Sequence, residues 1–291
     1  MVSIDQLKVL IAVAESRSLS QAAERVHKTQ PALTAAIKQL ESQLNLPLFN
    51  REQYRMQLNA QGQVIYQKAK QVIAEHRHLL DTATCFAKGE ESAISLAIEA
   101  SFEIEQILPA LEQVQQAFAS TQIVLSQEYL SGPLEQLQED KVDLAISPLP
   151  DQLMRNNQLE YKVIGQGYLL NVATEKLIQK FDSLTSVRQL VDTYQVVVKD
   201  SGMLTRGIKV GVQDAQRYWY VNNFATKLSL IQSGMGWGRL PEYFVREALA
   251  KEQLKELKLR DYDCRIEMHY CLIKIANKPL GPVASALWQA L

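Results

Sequence analysis

The sequence predicts an α/β protein in three parts: a small helical domain at the N-terminus, one long helix, and a larger body of alternating strands and helices. Three observations lead to this prediction. Apolar residues up to residue 44 recur at helical spacing in three short segments. Between residues 65 and 86 they repeat every three or four positions without a break. From residue 93 onward, apolar runs of strand length alternate with helical segments.

The composition is that of a folded chain of about two domains. Of its 291 residues, 47% are hydrophobic and 22% charged, which is enough to bury a core. No apolar run approaches the roughly 20 residues that a membrane helix needs. Residues 1–10 lack the basic and apolar regions of an export signal. We therefore expect a cytoplasmic protein with no membrane partner.

Charge is distributed unevenly along the chain, although the net charge is only −1. Residues 1–89 contain 11 Lys and Arg against 7 Asp and Glu, whereas residues 90–291 contain 20 against 25. A basic N-terminal part joined to an acidic body suits a module that binds a polyanion.

The first three helical segments predict a helix-turn-helix. Residues 4–14 and 19–26 form the first two, and Ser18 can cap the second. After a tight turn, Thr29 can cap a third helix that has Pro31 in its first turn. Apolar positions then follow at spacings of 4, 3 and 4: Leu33, Ile37, Leu40 and Leu44. Two short helices with a tight turn before a capped helix are typical of DNA-binding domains.

The segment after the third helix predicts a two-stranded wing. Asn45 and Pro47 end the helix, and the wing carries Arg51 and Arg55. Asn59 can cap the long helix that follows.

The long helix carries a heptad seam of about three repeats, formed by Ile65, Ala69, Val72, His76, Leu79, Ala83 and Phe86. A lone helix has nothing on which to bury such a seam, so we interpret it as a dimer contact. The alternative is that the seam packs on its own domain. His76 is either a pH-sensitive group in the contact or a tolerated polar core position. Residues 89–92 then predict a hinge.

The body of the protein begins with a βαβαβ pattern. Strand-like runs cover residues 93–98, 123–125 and 142–146, with helical segments starting near Ile107 and Leu134. This alternation predicts a parallel sheet with flanking helices.

A second lobe is expected from about residue 168. It contains a strand over 194–198 and helices over 226–232 and 243–249. A last strand, 268–275, returns to the first lobe, which gives two α/β lobes joined by crossovers.

Many of these residues together resemble the LysR-type transcriptional regulators. In the DNA-binding region the match runs through residues 10–16 (LIAVAES), 18–23 (SLSQAA), 29–32 (TQPA), Ile37, Leu40, Glu41, Leu44, Leu48, Phe49, Arg51, Leu58, Ala60 and Gly62. A weaker resemblance to the effector domain of that family continues through residues 107–109 (ILP), 142–146 (VDLAI) and 233–241 (SGMGWGRLP).

The resemblance implies a winged helix-turn-helix over 1–59, a dimerising linker helix over 60–91 and an effector domain over 92–291. The effector domain would resemble periplasmic binding proteins, with lobe I at about 92–165 and 268–291 and lobe II at about 166–267. Such regulators usually assemble as tetramers, bind double-stranded promoter DNA and respond to a small molecule between the lobes. The resemblance does not identify that molecule, the target genes or the sign of regulation.

The third helix would lie in the major groove, and the wing would contact phosphates or the minor groove. The candidate DNA-binding residues are Thr29, Gln30, Pro31, Thr34, Ala35, Lys38, Arg51 and Arg55. Ala35 stands where the family often has Arg or a long polar residue, so we expect fewer base contacts there. Asn59 replaces the usual Thr and is an equally good cap.

Turns after the strands would converge on an interlobe cleft. The candidate effector-binding residues are Ser101, Phe102, Glu103, Ser131, Gly132 and Ser147 in the first lobe, with Lys199, Ser201, Asn222, Thr226 and Trp237 in the second. For each serine, a simple helix cap is an equally good interpretation. Phe102 and Trp237 would suit a ligand with a ring, whereas Glu103 would oppose a plain anion.

Other functions have weaker support in the sequence. No GxSxG, HExxH, GxGxxG or P-loop motif occurs, and only His269 of the four histidines lies in the body, which argues against an enzyme. The three cysteines, Cys85, Cys264 and Cys271, form no CxxC, so we expect no zinc site, other metal or cofactor. A redox role for Cys264 or Cys271 stays open. A solute receptor and an effector-independent architectural DNA-binding protein are the remaining alternatives.

Overall fold

The structure, a computed structural model, describes residues 2–50, 56–149, 157–203, 212–213 and 217–291. Contacts within the chain divide it into two compact units, Met1–Ala87 and Lys88–Leu291. Within the described ranges, no helix is long and apolar enough to cross a membrane.

The first unit contains the predicted helix-turn-helix and the long helix. Its helices are α1 (Ile4–Glu15), α2 (Leu19–Arg25), α3 (Gln30–Leu44) and α4 (Ala60–Lys88). The Ser18 and Thr29 side chains accept hydrogen bonds from backbone N–H groups in the first turns of α2 and α3, as predicted. Asn45 ends α3 in the left-handed conformation, with φ of 50°. These local bonds fix where the helices begin and end.

The base of the predicted wing follows α3. Phe49 and Leu58 form an antiparallel bridge, and the Asn50 N–H donates to the Gln57 carbonyl at 2.8 Å. The expected wing residues Arg51 and Arg55 lie outside the described residues.

The start of α4 is anchored in its own unit. Asn59 caps it by accepting a hydrogen bond of 2.7 Å from the Gly62 N–H, and the Asn59 amide donates to the Pro47 carbonyl. A side chain at Gly62 would overlap the Leu48 carbonyl oxygen, so only glycine allows this approach. Ala69, about two turns further on, is 2% exposed and packs with the core of α1, α2 and α3.

The second unit is α/β, as predicted. Its strands are β1 (Ala93–Glu99), β2 (Gln122–Glu128), β3 (Leu144–Pro148), β4 (Leu159–Ala173), β5 (Tyr194–Val198), β6 (Arg217–Val221), β7 (Gly238–Pro241), β8 (Lys255–Glu256) and β9 (Arg265–Ile275). Its helices are α5 (Leu108–Ala117), α6 (Gly132–Gln138), α7 (Glu175–Ile178), α8 (Phe224–Gln232), α9 (Glu242–Ala250) and α10 (Pro282–Ala290), with 3-10 turns at Ile104–Gln106 and Val187–Leu190.

A seven-stranded sheet has the order β2-β1-β3-β9-β4-β7, with β8 paired to β4. The strands β1, β2 and β3 are parallel, as the βαβαβ pattern predicted. β9 returns to them and pairs antiparallel with β3, as expected of the last strand. The strands β5 and β6 form a separate parallel pair that meets the chain before β7 through a Gln195–Trp237 bridge.

Two long strands connect the lobes. β4 and β9 pair along almost their full length, with a register shift between Val163 and Gly165. The apolar side chains of the second unit include two separate buried clusters. One surrounds β1, β3 and α5, and another surrounds β5, β7 and α8. We call these two parts lobe I and lobe II.

Candidate DNA-recognition helix and interlobe site

Helix α3 has a buried apolar face and an exposed polar face. Leu33, Ile37 and Leu40 are at most 2% exposed and pack in the core of the first unit. The opposite face carries the predicted DNA-binding residues of this helix. Gln30, Pro31, Thr34, Ala35 and Lys38 line one surface depression together with Leu19 of α2. The structure therefore brings the predicted residues of α3 onto one accessible surface.

Two threonines at the start of α3 are partly engaged by the backbone. Thr29 accepts a 3.4 Å hydrogen bond from the Ala32 N–H as the helix cap. The Thr34 hydroxyl donates to the Gln30 carbonyl at 3.1 Å, one turn earlier in the helix. This bond occupies the hydroxyl proton and leaves the methyl group of Thr34 for an apolar contact.

A glutamate of α3 positions the start of the wing. Glu41 Oε1 accepts hydrogen bonds from the backbone N–H groups of Leu48 at 2.6 Å and Phe49 at 3.3 Å. Charge-assisted bonds of this kind are stronger than neutral ones. Glu41 was noticed in the sequence only as part of the family pattern, because nothing in the local sequence indicates partners seven and eight residues away.

The predicted heptad seam of α4 divides into two parts. Ala69 is buried in its own unit, and Ile65 packs partly against the same core, so the prediction of a dimer contact was wrong for Ala69. For this end of the seam, packing on the same domain is the correct interpretation. Further along, the apolar side chains are exposed: Val72 by 45%, Leu79 by 66% and Phe86 by 72%. Ala83 is exposed and His76 half-buried.

Lobes I and II touch directly at predicted effector-binding residues. The Ser131 hydroxyl donates to Asp200 Oδ2 at 2.6 Å, and the Ser131 N–H donates to Asp200 Oδ1 at 3.0 Å. Ser131 precedes α6, but its side chain makes no cap hydrogen bond, so the cap interpretation fails for this serine. Its partner Asp200 was not predicted, although it lies between two residues that were.

Ser201 and Gly132 form a second contact between the lobes. Ser201 Oγ accepts a hydrogen bond from the Tyr129 N–H at 2.9 Å and donates to the Tyr129 carbonyl at 3.1 Å. A Cβ atom at Gly132 would overlap Ser201 Oγ. Beside them, the Met203 N–H donates to Glu135 of α6. Three of the predicted residues thus meet, and they contact each other.

Ser101 belongs to a buried network at the end of β1. Its N–H donates to Glu99 Oε2 at 2.9 Å, its hydroxyl donates to the same oxygen, and it accepts from the Tyr270 hydroxyl at 2.8 Å. Burial raises the pKa of the Glu99 carboxyl above its usual range, and the negative charge of Asp200 adds to this effect. Hydrogen bonds from Ser101 and from the Leu130 N–H act in the opposite direction. Glu99 is therefore an unforeseen acidic group beside the interlobe contact.

Three predicted effector-binding residues lie in the interior instead. Phe102 is 2% exposed and packs edge-on against Tyr270 at 5.2 Å, inside the lobe I core. Trp237 is fully buried in a cluster of lobe II. Ser147 is 1% exposed and donates to the Pro148 carbonyl. The expectation that Phe102 and Trp237 would face a ring-bearing ligand was wrong, because long-range packing covers both rings.

The other predicted residues are nearer the surface. Glu103 pairs with Arg246 of α9 at 3.3 Å, so a cation from lobe II balances its charge. Lys199, Asn222 and Thr226 are exposed. The Tyr243 hydroxyl also joins the lobes by donating to the Ala100 carbonyl at 2.9 Å. Nothing in the local sequence marked Arg246 or Tyr243 as a contact between the lobes, since both lie on an ordinary amphipathic helix.

No group of His, Cys, Asp or Glu in the described parts could hold a metal ion.

Two families match the chain, one for each unit. A family described as "Bacterial regulatory helix-turn-helix protein, lysR family" matches residues 4–63. A family described as "LysR substrate binding domain" matches residues 87–291. The two matches together cover most of the chain, and the second begins one residue before the second compact unit.

Individual proteins with similar sequences are distant relatives. The HTH-type transcriptional regulator AceR of Acinetobacter baumannii is 24% identical over 97% of this chain and 94% of its own length. The uncharacterized HTH-type transcriptional regulator YeeY of Escherichia coli is 23% identical over 88% of this chain and 83% of its own.

Solved structures share the fold at lower identity. HypT of Salmonella, a hypochlorite-specific LysR-type regulator, has a TM-score of 0.54 and 18% identity, covering 99% of this chain and 96% of its own. LysG of Corynebacterium glutamicum, also solved with arginine as its bound effector, has a TM-score of 0.50 and 17% identity, covering 99% of this chain and 96% of its own in that complex.

Proposed function

Because this chain belongs to the LysR family of bacterial transcription regulators, we propose that it binds double-stranded promoter DNA through α3 and responds to a small molecule bound between lobes I and II. The observation that carries the DNA-binding role is the exposed polar face of α3 opposite its buried apolar face. The match of residues 87–291 to a substrate-binding domain supports the second role.

In this proposal the N-terminal half of α3 lies in the major groove. Gln30 pairs with N6 and N7 of an adenine, and Lys38 reaches a guanine or a phosphate. Thr34 offers its methyl group to a thymine methyl, since its hydroxyl is bound to the Gln30 carbonyl. Thr29, Pro31 and Ala35 complete the contact surface, and Ala35 is too short to read a base edge by hydrogen bonding.

In this proposal the wing contacts DNA without regard to its base sequence. Arg51 and Arg55 remain predictions from the sequence, with phosphates or the minor groove as their targets. Glu41 supports this role because it ties the start of the wing to α3.

The active form would be a homodimer through α4, assembled further into a tetramer. Val72, Leu79 and Phe86 carry the dimer contact, with His76 and Ala83 between them. Three exposed large apolar side chains at heptad spacing on one helix support this, because water contact with such a row is unfavourable. We expect this complex to act in the cytoplasm, where its DNA lies, and to have a regulatory rather than a catalytic role.

The effector would enter where Ser131, Gly132 and Ser201 meet. It would replace the contacts that these residues make with Asp200 and Tyr129, and thereby change the angle between the lobes. A ligand with differential affinity for the two lobe arrangements is sufficient to shift their populations. The similarly folded LysG, with its bound arginine, gives a precedent for an effector in this family.

The test is binding of the purified full chain to its own upstream intergenic DNA, against unrelated DNA of equal length, across a salt series. We expect a preference of at least about a thousandfold that persists as salt rises. Equal binding of the two DNAs, lost steeply with salt, would reduce the role to phosphate contact. No binding at low salt would contradict the proposal as a whole.

An effector-independent DNA-binding protein is the second candidate. The direct contacts between Ser131 and Asp200 and between Ser201 and Tyr129 favour it, since the hydrogen-bonding groups at this place satisfy one another across the lobes. A thermal-shift screen of metabolites separates the two, because a ligand of the native state raises the melting temperature. Specific DNA binding without any stabilising metabolite would favour this candidate.

A further inference from the structure

In lobe II, where β7 pairs with β4 at the edge of the seven-stranded sheet, three buried polar atoms lack a hydrogen-bond partner: Asn171 Oδ1, Trp237 Nε1 and Arg239 Nε. Among the described residues, these are the only buried side-chain nitrogen or oxygen atoms in that condition. The Asn171 and Trp237 side chains are fully buried. Unsatisfied buried polar atoms are uncommon in native proteins because each costs desolvation free energy. Their restriction to one place therefore needs a physical reason.

The three side chains are neighbours on the same face. Asn171 of β4 and Arg239 of β7 are register partners, so their side chains emerge side by side. Trp237 lies two residues before Arg239 and so points to the same side. Strand geometry places the three Cβ atoms within about 8 Å of one another.

Two other polar atoms of these side chains have fixed partners. The Asn171 amide Nδ2 donates to the Asp263 carbonyl at 3.2 Å, and an Arg239 terminal nitrogen donates to the same carbonyl at 3.1 Å. Because Nδ2 is engaged, the amide orientation is set and Oδ1 is the free acceptor. The set thus offers one acceptor and two N–H donors.

A groove of about 580 Å³ on the surface of lobe II has one of the three residues, Arg239, in its wall. Its walls include Gln213, Arg239, Arg260, Asp261 and Tyr262. The Tyr262 ring lies 5.4 Å from the Arg239 guanidinium carbon and 6.0 Å from the Trp237 ring. Because Tyr262 lines the groove and also contacts both of these side chains, a ligand that reaches the buried atoms would have to turn that ring aside.

The charges of the groove suit a zwitterion. Arg239 and Arg260 supply positive charge. Asp261 is already engaged, since its carboxylate accepts from the Ser186 hydroxyl at 2.6 Å and the Val187 N–H at 2.9 Å. Asp263 leaves a second carboxylate at the wall. A ligand with a carboxylate and a nearby ammonium group satisfies both the charges and the hydrogen-bonding atoms.

We propose that this face of lobe II binds a small α-amino acid at a site separate from the interlobe contact. The ligand carboxylate accepts hydrogen bonds from Arg239 Nε and Trp237 Nε1, and its ammonium group donates to Asn171 Oδ1. The ligand thereby supplies the partners that the three buried atoms lack. The regulator would thus bind a second metabolite, and this binding can be measured in the absence of DNA.

Trp237 provides a direct readout. In a Trp219→Phe/Trp288→Phe background, Trp237 is the only tryptophan, and its fluorescence reports ligand at the site. The full chain is titrated with the common L-α-amino acids, and each that binds is compared with its des-amino and decarboxylated analogues. We expect saturable binding of an intact amino acid and at least about tenfold weaker binding of both analogues, because each lacks one charge-assisted partner.

Variants locate the binding. By calorimetry in the otherwise native chain, Trp237→Phe and Asn171→Leu should each weaken binding about tenfold or more, whereas Arg246→Gln, at the interlobe contact, should not change it. Circular dichroism checks that each variant is folded. Equal binding of the des-amino analogue, or loss of binding in Arg246→Gln, would overturn the proposal. Absence of amino-acid binding in the native chain would overturn it as well, and would leave the DNA-binding role untouched.

Discussion

Ser131 and Asp200 join the two lobes through a pair of hydrogen bonds from one residue, its hydroxyl at 2.6 Å and its N–H at 3.0 Å from the carboxylate oxygens. The two residues are 69 positions apart in sequence. Removing the hydroxyl leaves the backbone bond and deletes the shorter, charge-assisted one. We therefore expect Ser131→Ala to lower the free energy of unfolding by about 1–2 kcal/mol.

Urea denaturation of the native protein and of Ser131→Ala measures this difference in the free energy of unfolding. Ser229→Ala serves as the control, since Ser229 is exposed and bonds only within its own helix. Equal stabilities of Ser131→Ala and the control would mean that the contact does not hold the lobes together.

A second prediction concerns the close approach of Gly132 to Ser201. A methyl group at Gly132 overlaps Ser201 Oγ, so Gly132→Ala should cost about 1–3 kcal/mol by forcing the lobes apart. Adding Ser201→Ala removes the overlapping oxygen and should restore part of the loss. A double-mutant cycle in urea measures the coupling. Additive effects in the cycle would show that the overlap is relieved elsewhere.

Lys227 of α8 makes stability depend on pH. It is 5% exposed, and its Cε lies 3.0 Å from the position that a Cβ of Gly238 would take. Burial, with a smaller contribution from the charge of Arg239, lowers the pKa of Lys227 to about 7. The unfolded chain has the ordinary lysine pKa of 10.5, so it binds this proton over a range in which the folded chain does not. The free energy of unfolding should therefore fall as pH decreases from about 10.5 to about 7.

Lys227→Met removes this dependence and should raise stability at pH 7 by a few kcal/mol, since one pKa unit corresponds to about 1.4 kcal/mol. Denaturation of both proteins between pH 7 and pH 10 measures it. Lys251→Met, at an exposed lysine of the same lobe, is the control. Parallel pH curves for native protein and Lys227→Met would contradict the prediction.

The exposed part of α4 gives a prediction for assembly. Leu79 lies on the heptad seam, whereas Val64 is similarly exposed, at 61% against 66%, and lies off it. Leu79→Ser should shift the oligomer toward smaller species in sedimentation velocity, and Val64→Ser should not. An unchanged distribution for Leu79→Ser, or equal shifts for both, would remove α4 as the dimer contact.

For DNA recognition, Gln30→Ala and Lys38→Ala should each weaken specific binding by about 1–3 kcal/mol if they read bases. A Lys38 that contacts only phosphate would instead weaken binding to all sequences and lower the salt slope by about one. Competition assays with single-base operator variants separate these outcomes. Lys68→Ala, an exposed lysine of the same unit, is the control. Unchanged sequence preference in both variants would exclude base reading by these side chains.

The sequence predicted the elements that depend on local bonds. Ser18, Thr29 and Asn59 cap their helices as expected, because the donor and acceptor lie within three residues of each other. The parallel strands of lobe I were likewise predicted, since their apolar runs are short and bounded by helices.

Contacts between distant segments could not be predicted in this way. Phe102 and Trp237 lie at strand ends and turns, where cleft residues are expected. Each ring is instead packed against a tyrosine from a distant part of the chain, Tyr270 and Tyr262 respectively, and no local pattern indicates that contact. Asp200, Tyr129 and Arg246 act across the lobes, and no local pattern selects them from other exposed polar residues. Periodicity also placed Ala69 on an apolar stripe of α4, yet it could not show that the same domain, and not a partner subunit, covers this residue.

The anchoring of α4 at Gly62 and Ala69 has a consequence for the geometry of the operator. Since the helix that would pair the subunits is fixed to the same core as α3, it cannot swivel freely relative to the recognition surface. A dimer built on α4 would thus hold the α3 helices of its two subunits at a set distance and rotational phase. If about five base pairs, half a turn of the duplex, were inserted between the half-sites, one half-site would lie on the opposite face of the DNA from its α3 helix. An insertion of about ten base pairs would bring it back to the correct face.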